Sequence, residues 1–347
     1  MRNDSLADLG FQPFFQDQIK DESYDVGRIS TAANGIYTIM TESGKIKGIA
    51  LGKLHYLAAG PEDLPCVGDW VRFLRTDHGR EGIIHHILER KSLLSRKRAG
   101  EKQEVQVMAA NVDFVFLVSA LNRDFNTRRM ERYLTLVYES GASPVIVLTK
   151  KDLAEELEEK MTAMEEAAPG VPVIAVNSLT GEGYDQLERF LTRGKTISLL
   201  GSSGAGKSTM INRLLGKAMQ KTLETREGDD RGRHTTTHRE LFVLPDGGVM
   251  IDTPGMRELQ LWSGSDALQA TFSDIEQLAE QCQFRDCKHE SEPNCAVKEA
   301  IQNGELSNER LKSYRKLGRE LDRLELKEKY GAHRASQMMR IRHFGKR

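Results

Sequence analysis

The chain has 347 residues, with 50 Lys and Arg against 51 Asp and Glu and a formal net charge of −1. That length accommodates two or three domains, and the balanced charge excludes a chain held to polyanions by its average charge alone. No apolar run is long enough to span a membrane as a helix, and Met1 to Leu9 carries Asp4 and Asp8 with no apolar signal core, so a soluble cytoplasmic protein is predicted.

Residues 1–25 are weakly patterned and are read as an N-terminal arm. From Val26 short, partly alternating runs follow, punctuated by glycine: Gly35 to Met40, Ile46 to Leu51, Trp70 to Leu74 and Gly82 to Ile87. Strands this short and close predict a small five-stranded barrel of the oligonucleotide-binding (OB) type over residues 26–100. Tyr37, Tyr56, Trp70 and Phe73 fall at strand spacing, which suits core positions better than base stacking. Arg90, Lys91, Arg96, Lys97, Arg98 and Lys102, relieved only by Glu89 and Glu101, suit phosphate contacts and a solvated linker equally. Cys66 has no nearby ligand partner and reads as a structural thiol.

From Asn111 the period changes. Val112 to Ala120, Pro144 to Leu148 and Val171 to Val176 read as strands, alternating with helices over Thr127 to Glu139, Asp152 to Ala167 and Tyr184 to Leu191. Strands alternating with helices make βαβ units, hence a multidomain α/β chain whose residues 101–262 form a mostly parallel sheet with helices on both faces.

Gly201-Ser-Ser-Gly-Ala-Gly-Lys-Ser fits the phosphate-loop pattern between the apolar run Thr196 to Leu200 and the helix-like run Ser208 to Leu215. Gly201, Gly204 and Gly206 permit the tight turn that aims successive N–H groups at phosphates, at the positive end of a helix. Lys207 would reach the β- and γ-phosphates and the Ser208 hydroxyl a magnesium ion. Ser202, Ser203, Ala205 and Thr209 complete the expected nucleotide-binding stretch.

Thr149-Lys150-Lys151-Asp152 stands at the C-terminal end of a predicted strand, where open α/β sheets place ligands. A carboxylate there accepts from guanine N1–H and its 2-amino group, a donor pair adenine lacks. The stem of Lys150 would pack along the purine. As an isolated pattern the segment is equally an ordinary helix start with Asp152 as its cap. Ser178 ends the next strand, near the place of the guanine oxygen. Past the phosphate loop, Asp252 closes an apolar strand and would hold magnesium through water, while the N–H of Gly255 would face the γ-phosphate.

Only four cysteines occur, and three fall in Cys282-x4-Cys287-x-His289-x5-Cys295. Three thiolates and an imidazole are the full ligand set of a closed tetrahedral zinc site, in a segment too short for a core of its own. A helical zinc-binding module is therefore predicted over residues 263–330, followed by a basic tail, 331–347, that suits RNA phosphates and a solubilising end equally.

These elements resemble the guanine-nucleotide motifs of the translation-factor GTPases in permuted order, the base-reading Thr149 to Asp152 and Ser178 preceding Gly201 to Ser208 and Asp252 to Gly255. A barrel before them and a cysteine cluster after them make the chain similar to the ribosome small-subunit-dependent GTPases, the RsgA family, also called YjeQ or YloQ. The resemblance implies GTP hydrolysis to GDP coupled to late assembly of the small ribosomal subunit, with that subunit and its rRNA as partners and no membrane. It also implies that Arg231-Gly-Arg-His-Thr-Thr-Thr is the first switch loop, with a threonine, Thr236 by choice over Thr235 and Thr237, closing over magnesium beside Ser208 and Asp252. The expected catalytic set is Lys207, His234, Thr236 and Gly255. Met256 stands where many GTPases have a water-orienting glutamine; a thioether cannot orient water, so slow intrinsic turnover is expected. A GTP-gated RNA-binding clamp with incidental hydrolysis is the alternative. Nothing in the sequence requires a dimer.

Overall fold

A computed structural model describes residues 5–76, 79–97, 105–216, 239–253 and 265–330. The chain divides into two compact units, one built of residues 1–125, 140–161 and 171–259, the other of 126–139, 162–170 and 260–347.

The first unit opens with a barrel of β1 (Asp25–Ala33), β2 (Ile36–Thr41), β3 (Gly44–Ala50), β4 (Trp70–Arg75) and β5 (Glu81–Ile87). Neighbours run β1-β2-β3-β5-β4, and β4 pairs back on β1, so the sheet closes and leaves no open edge. All its pairings are antiparallel except β3 with β5. A short helix, α2 (Gly52–Leu57), follows β3. Ile29, Tyr37, Ile39, Val71, Phe73 and Ile84 fill the interior. Trp70 is also buried, whereas Tyr56 is exposed, so three of the four aromatic residues are core and one is not.

β1 is absent from the strands read in the sequence, and so are β6 (Leu93–Lys97) and β7 (Val105–Ala110), which pair antiparallel. Part of the basic stretch has partners within the fold. Arg90 donates to both carboxylate oxygens of the buried Asp69, at 2.7 Å, and to the carbonyls of Glu62 and Leu64. Lys91 lies over the Phe14 and Phe15 rings. Arg98 and Lys102 lie outside the described residues.

From Ser5 on, the arm packs against the barrel. Its short helix α1 (Pro13–Gln16) carries Phe15, and Phe11 meets Trp70 edge-on at 4.7 Å. Leu9 and Phe15 are buried. Arg28, fully buried, ties these parts together. Its guanidinium donates to Thr196 Oγ1 (2.9 Å) and to the carbonyls of Leu9, Gly68 and Asn111, with Trp70 beneath it. Burial pulls its pKa down to about 10, so the group stays charged at neutral pH although, among the described residues, no carboxylate is in hydrogen-bond contact with it. Arg28→Met would keep the volume and strip donors from buried acceptors, and is expected to cost about 3–5 kcal/mol, read as a lower urea midpoint at unchanged slope.

β1 runs on into the second sheet, where Thr31 pairs with Glu240. That sheet has the order β10 (Val173–Ala175), β9 (Ser143–Thr149), β8 (Phe114–Ala120), β11 (Thr196–Gly201), β13 (Val249–Asp252) and β12 (Glu240–Val243). The first five are parallel and β12 is antiparallel to β13. Val118, Val147, Ile174 and Leu199 pack with Leu187 and Phe190 of the tightly wound 3-10 segment Tyr184–Phe190, and with Met210 and Leu215 of helix α5 (207–216).

The expected helix from Asp152 to Ala167 is broken. Lys151–Leu153 make a single turn, Ala154 is extended, Glu156 is left-handed at φ 55°, and α4 (Leu157–Ala167) starts only there. Asp152 therefore caps no helix.

The second unit contains α3 (Thr127–Glu139), α6 (Ser265–Thr271), α7 (Ser273–Ala279), α8 (Ala296–Gln302) and α9 (Asn308–Tyr330). Buried Arg310 organises it, donating to Asp274 (2.8 and 2.9 Å), Glu131 (2.9 Å) and the carbonyls of Ala167 and Thr271, with Phe272 under its guanidinium. No helix among the described residues is long and apolar enough to cross a membrane.

Candidate active site

Parallel pairing puts the C-terminal ends of β9, β10, β11 and β13 on one edge of the sheet. Thr149 to Asp152, Asn177 and Ser178, Gly201 to Ser208, and Asp252 thereby converge, although they are scattered over about a hundred residues of chain.

The loop after β11 needs its glycines. A Cβ at Gly201 would overlap the Val118 carbonyl oxygen, and Gly204 and Gly206 are left-handed at φ 77° and 91°. The α5 helix starts at Lys207, whose ammonium folds onto the carbonyls of Gly201 (2.6 Å) and Ser202 (2.5 Å). Ser202 donates its hydroxyl to Asp124 in the loop after β8. Ser203, Ser208 and Thr209 are exposed and Ala205 is buried. Thr149, also buried, donates its hydroxyl to the Ala205 carbonyl at 2.5 Å and so braces the loop from behind.

Asp252 stands close enough to Lys207 to feel its charge. Burial pushes the Asp252 carboxyl up, against Lys207 and an N–H hydrogen bond from Thr253. A half-buried carboxylate raised by desolvation, near the Ser208 helix start, is a donor set that fits a hard divalent cation.

Lys150 is left-handed at φ 59°, and Lys151 bridges to Glu182 at 2.6 Å. Asp152 is exposed. The 177–181 loop is held from within: Asn177 Oδ1 accepts the N–H groups of Leu179 and Thr180, and the Asn177 carbonyl accepts that of Gly181. The Tyr184 hydroxyl donates to Ser178 Oγ at 2.9 Å. Arg213, on α5, donates to the carbonyls of Ser178, Leu179 and Thr180 at 3.1–3.3 Å. Asp124 and Arg213 carry no local sequence signal, since their partners come from distant segments. Arg231, Arg233, His234, Thr235, Thr236, Thr237, Gly255 and Met256 lie outside the described residues.

In the second unit Cys282, Cys287, His289 and Cys295 bring their ligand atoms within 4.8 Å of one another. His289 Nδ1 lies 3.3 Å from Cys295 Sγ and 3.7 Å from Cys282 Sγ, and the two sulfurs are 3.9 Å apart. Zn–S bonds of about 2.3 Å at tetrahedral angles give sulfur–sulfur edges of about 3.8 Å, so the cluster has the dimensions of a zinc centre. The left-handed backbone at His289 (φ 58°) and Asn294 (φ 52°) folds so short a segment around one point. Burial, and then Arg315, hold His289 below its usual range, which keeps the imidazole neutral as a ligand must be.

The family model described as RsgA GTPase matches residues 87–262, half of the chain and all strands of the second sheet. A Lactiplantibacillus plantarum protein described as small ribosomal subunit biogenesis GTPase RsgA 2 is 47% identical, over 88% of this chain and 86% of its own. The chain belongs to the RsgA GTPase family. A second RsgA protein, RsgA 1 of Oceanobacillus iheyensis, is 46% identical over 89% of this chain and 90% of its own. Among solved structures, YjeQ from Thermotoga maritima superimposes with a TM-score of 0.66 at 29% identity, covering 86% of this chain and 98% of that one. YloQ, a circularly permuted GTPase, gives 0.63 at 28%, covering 87% and 96%. The permuted order, the N-terminal barrel and the Cys3His cluster are thus those of an RsgA GTPase, and the chain is a GTP hydrolase.

Proposed function

We propose that this chain binds the small ribosomal subunit and couples GTP hydrolysis to its late assembly. The convergence of four strand ends on one edge, in a chain of the RsgA family, carries the reading. On it, Asp152 reads guanine N1–H and the 2-amino group, Ser178 lies at the guanine oxygen, and Lys150 packs along the purine. The loop from Gly201 to Thr209 cradles the phosphates. Ser208 and Asp252, with Thr236 from the switch segment, hold magnesium, which would neutralise charge between the β- and γ-phosphates. His234 orients the attacking water in place of a glutamine, and Gly255 faces the γ-phosphate. Residues 26–100 and 263–330, which precede and follow the GTPase domain at 101–262 in the chain, act as RNA-facing modules, the basic tail at 331–347 adds phosphate contacts, and the protein works as a single chain.

The test is GTP hydrolysis by purified protein with and without small subunits, with large subunits and ATP as controls. Small subunits alone are expected to raise turnover on the order of 10³-fold, at the lower end of what an inserted arginine gives, here Arg231 or Arg233 of the ordered switch loop neutralising developing phosphate charge; His234→Ala should remove most of that gain. Met256, next to Gly255, favours one second reading, the GTP-gated clamp. Tight GTP-dependent subunit binding without any stimulation would establish the clamp instead.

A further inference from the structure

The loop 177–181 is tied down at nearly every polar group it has. Its N–H groups at Leu179, Thr180 and Gly181 go to Asn177, and that of Asn177 goes to the Glu182 carbonyl. Its carbonyls at Ser178, Leu179 and Thr180 all accept from Arg213. Within 177–181 one N–H, that of Ser178, is left without a protein partner among the described residues.

Arg213 is well placed for this. Its guanidinium lies 5.1 Å from the centre of the Tyr184 ring, and Tyr184 in turn donates to Ser178 Oγ. Gly181, left-handed at φ 94°, leaves the space the guanidinium occupies, since a Cβ there would collide with Arg213 Nη2. A planar fork of donors satisfies three carbonyls in fixed geometry, which a single lysine ammonium cannot reproduce. The same α5 helix starts at Lys207 and Ser208, six and five residues before Arg213.

We infer that Arg213 is a positioning residue for base recognition: by holding the carbonyls of residues 178–180 it fixes the free Ser178 N–H as the donor to guanine O6, and it does so from the helix that carries the phosphate loop. This rests on the reading of 177–181 as the base-facing loop. The two ends of the nucleotide are then sensed by one rigid element. Arg213 is itself exposed and buries no charge, so its loss leaves the core of the sheet intact.

Two analogues separate the contributions. Replacing O6 by sulfur, in 6-thio-GTP, weakens the acceptor facing Ser178 and leaves N1–H and the 2-amino group for Asp152. ITP removes the 2-amino group and keeps O6. Equilibrium binding of GTP, 6-thio-GTP, ITP and ATP to wild type, Arg213→Ala and Gly181→Ala is the experiment. Wild type should prefer GTP over 6-thio-GTP by about tenfold, the scale of one good hydrogen bond. In Arg213→Ala that ratio should collapse to about one while the GTP to ITP ratio is unchanged. Gly181→Ala, which displaces the guanidinium without removing it, should give the same pattern. A merely structural role would weaken all guanine nucleotides together, and wild-type ratios or a uniform loss in both variants would overturn the proposal. A wild-type protein that bound ATP as tightly as GTP would overturn the base site itself, and Arg213 with it.

Discussion

Cys295→Ser is expected to purify without zinc, against one zinc per chain in the parent, and with the segment from residue 282 to 295 open to protease. The segment has no core of its own: Cys295 and His289 are buried, but around one another and the other two ligands. Structural zinc contributes about 10–16 kcal/mol to peptides of this kind, which far exceeds what a fourteen-residue segment gains from packing. Serine keeps the size and withdraws a thiolate, so the variant loses coordination rather than volume. Burial, with Cys295 and Cys282 alongside, pushes the Cys287 thiol up to about 11, so the protons must be displaced by the ion. Each bound thiolate forms by losing a proton, and zinc affinity accordingly falls as pH falls. Metal analysis and limited proteolysis read both effects. GTP binding should persist, because Asp152, Ser178, Lys207 and Asp252 all belong to the other unit. A Cys295→Ser protein that kept its zinc and its protease resistance would remove the cluster from the metal assignment.

What could be read from the sequence divides along a physical line. The phosphate loop and the cysteine cluster declare themselves because their chemistry is local: glycines, Lys207 and Ser208, or four ligands, at short spacing. The strands of the parallel sheet were legible for the same reason, as apolar runs of strand length. β1 was not, since its buried stretch includes Arg28 and Ser30, polar residues that are tolerated only where partners from elsewhere in the chain satisfy them. For Arg28 these partners lie at Leu9, Gly68, Asn111 and Thr196. Arg90 misled in the opposite sense. In a basic run it suits a phosphate, yet Asp69, 21 residues away, claims both arms of its fork. Arg213 shows the same limit, because its three carbonyl partners sit more than thirty residues upstream and leave no pattern in its own segment. Asp152 was visible as a residue and not as a geometry: its freedom depends on the break at Ala154 to Glu156, which the helix-like composition of 152–167 conceals.

That break gives the other large expected effect. Asp152→Asn should exchange guanine for xanthine. Guanine presents two donors, N1–H and the 2-amino group, and a carboxylate accepts both. Xanthine keeps N1–H and places a carbonyl oxygen at the second position, so a carboxylate there faces an acceptor with an acceptor. The carboxamide of asparagine accepts from N1–H and donates to that oxygen, which reverses the match. Sites that read a polar group reject the mismatched analogue by 10⁴–10⁵. For this exposed site a loss of GTP affinity on the order of 10³-fold is expected, with a comparable gain for XTP, measured by competition against a fluorescent guanine nucleotide and by XTP hydrolysis. Were Asp152 a helix cap, the same substitution would lower stability by a few tenths of a kcal/mol at most, asparagine being as good a cap as aspartate, and would leave base preference alone. Since α4 begins only at Leu157, the cap has no helix to hold. Lys207, Ser208 and Asp252 are untouched by the change, so turnover of saturating XTP by the variant should equal turnover of GTP by the parent. Equal turnover with exchanged affinity would assign Asp152 to the base alone and leave the chemistry at the phosphate end.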